Sequence, residues 1–402
     1  MIHTQNSGVG MWRTIHPAKW LNKLGLAEVR TLPFYWRSHN ELSWAQYQKD
    51  CEDKGKTPTP EEHQKLFKRR PKDAFNEPGF KTIEDLCLWA DMIVVMRRDM
   101  KAHVAMMMAM KDLNKPVVFE TDDFVHYVPP YNPGARFYTP GSEQTDVWSS
   151  MQFNVADYVQ VTTPGMKQYY TQLHQKIYVL PNLYDPEYWI DNYPEPKPHD
   201  EIRIGGWFAN AHWGNLRKLK DVITPILDKY PNVKFHLLTQ VPDWWYGEQK
   251  KGRLVVHKFH NLANYAEYIK SIGLDIGLAP LLDNHFNRCK SNIRWIEYSI
   301  NHAATVASPI WAYNRDPQGI AKDRENIMFA KEKEDWIRIL SELIENETLR
   351  KKIADQAHKD VVKYYSLENN VKIWADAYNE MYQDFYSTNK VAPKNAFELQ
   401  KV

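Results

Sequence analysis

The run Asp283-Asn-His-Phe-Asn-Arg-Cys-Lys290-Ser291-Asn292-Ile-Arg294-Trp-Ile-Glu297-Tyr is the part of the chain densest in residues able to do chemistry. It leaves an apolar strand pattern and enters a helical one. Lys290, Arg294 and Glu297 are spaced four and three apart, so they share one helix face. Ile293, Ile296 and Ile300 form the neighbouring apolar stripe that would pack on a sheet. Lys290 and Ser291 sit in the first turn, where free N–H groups and a side-chain charge would hold a diphosphate, and Asn292 beside them is a further candidate for donor binding. A cation in a first helical turn opposes the helix dipole, which favours a ligand reason for Lys290. Glu297, about two turns deeper, is placed to accept from a ribose hydroxyl. The alternative is an amphipathic helix with an Arg294–Glu297 pair on its surface.

Three other runs offer related chemistry. Ile204-Gly205-Gly206-Trp-Phe-Ala-Asn210-Ala-His212-Trp-Gly-Asn215 follows a strand pattern and opens a helix. A phosphate would sit there, with Asn210 and His212 donating to it; the alternative for His212 is a loop histidine satisfied by backbone. Arg217 and Lys218 follow, as further charge for a departing diphosphate. Ser7-Gly8-Val-Gly10-Met-Trp-Arg13 pairs two glycines, which let a backbone approach a ligand, with an arginine that can reach an anion. Taken alone, that run reads as a plain turn. Glu120-Thr-Asp122-Asp123 ends a strand pattern, with His126 just beyond. Adjacent acids there bind a metal, act as a base, or cap turns and hold an arginine. No G-x-x-x-x-G-K-[ST], H-E-x-x-H, C-x-x-C or G-x-S-x-G is present. P-loop hydrolysis, zinc proteolysis and serine hydrolysis lose their usual supports.

These residues need elements to position them. Short runs rich in Val, Ile or Tyr read as buried parallel strands: Val29–Phe34, Met92–Met96, Val117–Phe119, Tyr158–Val161 and Ile177–Leu180. Helical stretches Asp99–Asp112 and Met166–His174 lie between them. Asp191–Asp200 then carries three prolines in ten residues and reads as a linker. Beyond it the alternation restarts with Ile202–Phe208, Val233–Leu238, Leu254–Lys258, Ile276–Leu278, Thr305–Ala307 and Ile327–Phe329. Its helices are Leu216–Lys229, Ala263–Ser271, Lys290–Ile300 and Glu334–Glu345. The pattern predicts an α/β chain of two Rossmann-like, doubly wound domains, residues 1–190 and 201–366, joined by 191–200. A last helix, Leu367–Phe385, has Val371, Trp374, Tyr378 and Met381 at helical spacing. Ser43–Phe80 is long, polar and charged, and includes Lys65-Leu-Phe-Lys68-Arg69-Arg70-Pro-Lys72. It reads as a solvated insertion, or as a basic flap for an anionic acceptor.

The chain has 402 residues, 43% hydrophobic and 25% charged, which suits two folded domains rather than disorder. A formal charge of +2 does not by itself imply a nucleic-acid partner. Cys51, Cys87 and Cys289 are odd in number and widely spaced, so no disulfide framework or zinc signature follows. No signal-peptide pattern opens the chain, and no apolar run approaches a membrane span. A cytoplasmic protein without an integral membrane segment is expected.

Taken in order, several runs resemble GT-B glycosyltransferases of the group-1 (family-4-like) type, of the bacterial and phage kind. They are the Gly8/Gly10 loop before Arg13 and Pro17-Ala18, Val117–Phe124, Ala156–Tyr170, Val179–Asp185, Gly205–Asn215, and Asp275–Tyr298 followed by Thr305–Ser308. The resemblance runs from residue 7 to about 386, omitting Ser43–Phe80. It implies two Rossmann-like domains facing a deep cleft, with the 367–402 segment returning to the first domain. It implies transfer of a sugar from a nucleotide diphosphate sugar, UDP first and GDP next, with retention and no metal. Glu297 matches the second acid of the family's paired-Glu motif, which binds the donor ribose. The first acid would fall at Cys289 and is absent, leaving Lys290 to take a donor phosphate contact. Gly205 and Gly206 match the phosphate-side loop, and Gly8 and Gly10 the first-domain loop facing the reaction centre.

The residues expected at the reaction centre are Gly10, Arg13, Asp122, Asp123 and Lys290. Asp122 and Asp123 also resemble the acidic metal motif of the other major glycosyltransferase fold, but a two-domain strand count argues against that fold. The acceptor is either a hydroxylated base in phage DNA or a glycan or lipid-linked saccharide. His126 and Lys68, Arg69 and Arg70 would contact it; a phage-encoded protein would work in the host cytoplasm. The competing classes are a nucleotide-sugar epimerase on the same fold and a binding protein that kept the fold without the chemistry. Oligomeric state is left open.

Overall fold

A computed structural model describes residues 1–3, 8–33, 83–138, 141–189, 198–208, 212–238, 241–258 and 262–389, with isolated positions at 51, 56, 57, 59, 79, 80, 193 and 196. The basic run 65–72 and Asn210 lie outside the described residues, as do most of 43–80 and half of the 191–200 linker.

Two six-stranded sheets form the chain. The first has β1 (Ile2–His3), β2 (Leu32–Pro33), β3 (Ile93–Met96), β4 (Val117–Thr121), β5 (Tyr158–Val161) and β6 (Ile177–Val179) in the order β2-β1-β3-β4-β5-β6. The second has β7 (Ile202–Trp207), β8 (Val233–Leu238), β9 (Leu254–His257), β10 (Ile276–Ala279), β11 (Ala304–Ala307) and β12 (Met328–Phe329) in the order β12-β11-β10-β7-β8-β9. Every pairing is parallel. Strand order reverses beside β1 and beside β7, so each sheet opens a crevice at the carboxyl ends of its central strands.

The strands are mostly apolar because helices cover both faces. Val95, Val117, Phe119 and Val159 pack with Met107, Phe153 and Met166. Their sequence neighbours Val94, Val118 and Tyr158 point to the other face, against Met381 and Phe385. Ile204, Phe235, Ile276 and Val306 make the second core with Val222, Ile226, Ile339 and Leu343.

Local signals set the helix ends. Thr163 accepts from the Met166 N–H and Pro164 follows it, so Pro164–Tyr170 starts there. Ser366 caps Leu367–Asn370, and the long helix Lys372–Asn389 follows. That helix carries Met381 and Phe385 back onto the first sheet, and its Asp384 accepts from the Tyr158 hydroxyl at 2.6 Å. The two crossings between domains are bonded to each other. The Tyr184 N–H donates to the Tyr365 carbonyl at 2.8 Å, and the Leu367 N–H donates to the Tyr184 carbonyl at 2.9 Å.

Candidate active site

The carboxyl ends of the two sheets face one cleft of about 920 Å³. On the second domain its frame is the helix Ile293–Ile300. This helix lies close to the sheet because Gly206 on β7 and Gly277 on β10 leave a groove for the Tyr298 ring. A Cβ at Gly277 would stand 2.3 Å from Tyr298 Cγ, and one at Gly206 would stand 2.3 Å from its hydroxyl. The hydroxyl donates to the Leu278 carbonyl at 2.9 Å. Gly205 and Gly206 are therefore strand residues that admit their neighbours, not a phosphate loop. A Cβ at Gly205 would stand 1.9 Å from the His236 carbonyl oxygen.

Seated this way, the helix presents Arg294 and Glu297 to the cleft. Arg294 pairs with Glu297 at 2.5 Å, and the Tyr265 hydroxyl donates to Glu297 at 3.4 Å. Burial pushes the Glu297 carboxyl upward, and the Arg294 guanidinium opposes that shift. Glu297 is buried in the cleft wall with Arg294 half-buried beside it, so the pair faces the cleft and not an outer surface. Around it, Trp207, Leu238, Val256, His257 and Tyr265 line the recess at the ends of β7, β8 and β9. Linker-side aromatics close it, with Trp189 and Tyr265 ring centroids 5.9 Å apart.

His212, Lys290 and Ser291 line the adjoining stretch. Lys290 is not in the first helical turn. It lies between the short helix His285–Arg288 and Ile293–Ile300, in a turn that reaches across to the first domain. Its ammonium is 2.6 Å from Asp123 Oδ1 and 4.4 Å above the Phe286 ring. Ser291 Oγ accepts from Asn182 Nδ2 at 3.0 Å. Burial pushes His212 down to about 3, helped by the cations Lys290 and Arg294, so the ring is neutral near pH 7. Asn292 is fully buried beneath the helix start and does not line the cleft. Arg217 is exposed outside the cleft lining, and Lys218 donates to the Lys331 carbonyl at 3.1 Å. These three are corrected as donor residues.

On the first domain the glycine run is helical rather than a turn. Gly8–Gly10 leads into a π-helical stretch Met11–Ile15 and the helix His16–Lys23. Gly8 lines the cleft, whereas Gly10 is buried and its carbonyl accepts from Thr14 Oγ1 at 2.6 Å. Arg13 borders the cleft but is 1% exposed and spends its donors inside the protein. It makes two bonds to Glu120, at 2.7 and 3.0 Å, one to the Leu180 carbonyl at 2.7 Å, and one to Asn182 Oδ1 at 3.1 Å. Trp374 stacks on it at 4.6 Å. Arg13 is thus a bolt between the first domain and the C-terminal helix, not an anion site.

Asp122 and Asp123 follow β4 and both line the cleft. Arg97, at the end of β3, comes within 3.7 Å of Asp122. Arg97 is itself fixed by Asp99 at 2.5 Å and by the Tyr138 hydroxyl at 2.8 Å. Burial and the neighbouring Asp123 push the Asp122 carboxyl up to about 6. His126 does not join them. It bonds Ser150 Oγ at 3.2 Å and packs among Phe124, Phe153 and Tyr170. Lys68, Arg69 and Arg70 lie outside the described residues. Cys289 turns into the first-domain core, away from the cleft, and burial pushes its thiol up. Among the described residues, no group of three or more His, Cys, Asp or Glu is gathered as a metal-ligand set.

Spacing alone already placed Arg294 beside Glu297. Arg97, Tyr265 and Asn182 were missed. Arg97 carried one usable signal, its place at a strand's carboxyl end beside the acids of the next strand. A further contact joins the domains. Tyr131 of the first domain lies against Gly214, where a Cβ would meet its ring at 2.2 Å. Its hydroxyl accepts from Asn284 at 3.1 Å and from Asn287 at 2.9 Å.

No protein-family model matches the sequence, and no curated protein matches it. Solved structures do. A glycosyltransferase from Rickettsia africae superposes over 96% of this chain and 97% of its own, with a TM-score of 0.59 at 12% identity. Anabaena HepE, solved with UDP and glucose, covers 76% of this chain at 11% identity, with 79% of its own length matched and a TM-score of 0.51. A variant of S. aureus TarM, solved with fondaparinux, α-GlcNAc-glycerol and UDP, gives a TM-score of 0.50 at 14% identity over 75% of this chain. The chain spans only 59% of TarM's length. These likenesses establish the fold: two Rossmann-like domains in the GT-B arrangement. Among the described residues, no helix is long and apolar enough to cross a membrane.

Proposed function

We propose that the chain is a glycosyltransferase that moves a sugar from a UDP-sugar to a hydroxyl of a saccharide acceptor. One observation carries this reading. The second-domain wall of the cleft runs from an aromatic recess, through a buried carboxylate at Glu297, to the cation and small donors at Lys290, Ser291 and His212. A nucleotide diphosphate has the same order of parts. The base fits the recess, a ribose hydroxyl donates to Glu297, and the diphosphate lies beside Lys290. HepE and TarM, solved with UDP, share the fold, and this supports UDP over GDP as the carrier.

The chemistry is electrostatic. As the bond from the anomeric carbon to the diphosphate oxygen breaks, negative charge gathers on the leaving group. The Lys290 ammonium and the N–H of neutral His212 stabilise it, and preorganised donors of this kind are each worth about 3–4 kcal/mol. In a front-side displacement, which retains configuration, the acceptor oxygen bonds the anomeric carbon and its proton passes to the departing phosphate. Asp122 and Asp123, on the facing wall, orient the acceptor hydroxyl. A saccharide acceptor is supported by the fold shared with TarM, whose variant was solved with fondaparinux and α-GlcNAc-glycerol.

A thermal-shift screen against UDP, GDP, TDP, ADP, CMP and their sugar conjugates tests the reading. A ligand at ~100 times its Kd adds about 2.7 kcal/mol, an easily measured rise in Tm. The expected result is a shift confined to UDP and UDP-sugars. A shift with no nucleotide overturns the proposal, and a selective GDP shift overturns the choice of carrier.

A further inference from the structure

The Lys290–Asp123 pair joins two domains across the mouth of the site, and its members differ in freedom. Asp123 is held at its backbone, where its carbonyl accepts from the Tyr170 hydroxyl at 3.1 Å and from Thr121 Oγ1 at 3.2 Å. Lys290 is a charge on a flexible four-carbon stem. Both side chains retain solvent access, 22% for Lys290 and 31% for Asp123, so a ligand can reach the pair. Two other cations along the cleft are committed: Arg13 to buried Glu120 and Arg294 to buried Glu297. Lys290 is the cation beside Ser291 and His212 whose partner belongs to the opposite wall.

A diphosphate entering that stretch meets two obstacles. The ammonium it needs is engaged, and the Asp123 carboxylate that engages it repels the incoming charge. A diphosphate carries more charge than one carboxylate and offers more acceptor oxygens, so it outcompetes Asp123 for the ammonium. Once Lys290 swings to the phosphate, the Asp123 carboxylate stays where its backbone holds it, now unpaired and facing the acceptor side. We propose that Lys290 exchanges partners, from Asp123 to the donor diphosphate, so that donor binding uncovers Asp123 as the hydrogen-bond acceptor for the second substrate's hydroxyl. Binding is then ordered, donor before acceptor. The inference rests on the donor-site reading above and adds a sequence of events to it.

The test is a titration of UDP and of uridine into the full chain. Asp123→Asn removes both the competing partner and the repulsion. It should bind UDP about three- to tenfold more tightly than wild type, with uridine unchanged. Lys290→Met should bind UDP more weakly, and adding Asp123→Asn to it should recover much less than Asp123→Asn gains alone. Asp123→Ser repeats the measurement with a smaller side chain, and the melting curve of each variant reports its folding. Wild type that binds UDP while neither Asp123 variant binds it more tightly overturns the exchange alone. A gain shared equally by uridine also overturns it. Wild type that binds neither UDP nor any other nucleoside diphosphate overturns the donor-site reading and the exchange with it.

Discussion

Asp122 shows how little a residue's type says about its charge. It borders Asp123 and is enclosed against Arg97, and burial with its acidic neighbour pushes it up to about 6. Below that pH the group is protonated and cannot accept a hydrogen bond from an acceptor hydroxyl as a carboxylate does. Transfer, measured as kcat/KM, should therefore rise with pH through about 6 and then level. Asp122→Asn should flatten that limb and lower the plateau by at least about tenfold. A limb unchanged in the variant would detach it from Asp122. The same contrast governs what could be read in advance. Gly8, Asp122, Asp123, His212, Lys290, Ser291 and Glu297 line the cleft, as their types and positions suggested. Arg13 looked like an anion ligand because its partner, Glu120, is 107 residues away. Arg217 and Lys218 had suitable charge, but the helical turn they occupy faces out of the cleft.

At the scale of elements, strands were the most legible feature. Tyr158–Val161 and Val233–Leu238 coincide with β5 and β8 because apolar runs of that length have few other uses. The two-residue β1 has no such run and escaped notice. The helix expected from Lys290 begins instead at Ile293, since Lys290 and Ser291 are drawn into the turn that meets the first domain. The glycines of β7 read as a ligand loop because a sequence does not show which ring lies across a strand. Their packing role has a direct test. Gly206→Ala would drive a methyl into the Tyr298 hydroxyl, and overpacking of this kind costs about 1–3 kcal/mol. Tm should fall, and Tyr298→Phe in the same chain should recover part of the loss by removing the struck oxygen. A Gly206→Ala chain as stable as wild type would show that the groove has slack.

Across the whole molecule, several histidines are buried uncharged. Burial pushes His16 and His103 down to about 4, and His212 and His236 down to about 3, from an ordinary 6.5. The folded chain refuses protons that the unfolded chain accepts below 6.5. Protons bound in the unfolded state therefore exceed those bound in the folded state, and stability falls as pH falls. Asp122, Asp91 and Glu297 are pushed up and act in the opposite sense, but among the described residues they are three carboxyls against seven histidines, since His126, His174 and His257 are pushed down as well. Tm should be flat above about pH 7 and decline steadily from there to about pH 5. A melting curve unchanged over that range would contradict the buried neutral state of these rings.

The bond pair between the two crossings constrains the molecule in a different way. Tyr184 meets Tyr365 and Leu367 where the chain leaves the first domain and where it comes back. The second domain is thus hung like a door on two pins set side by side, not like a weight on a string. Parting the walls while both bonds hold requires breaking the Lys290–Asp123 pair and the Tyr131 bonds to Asn284 and Asn287 on the far side of the neck. A chain cut before Ser366 would lose a pin, and with it the guarantee that the two walls meet in the same alignment each time they close.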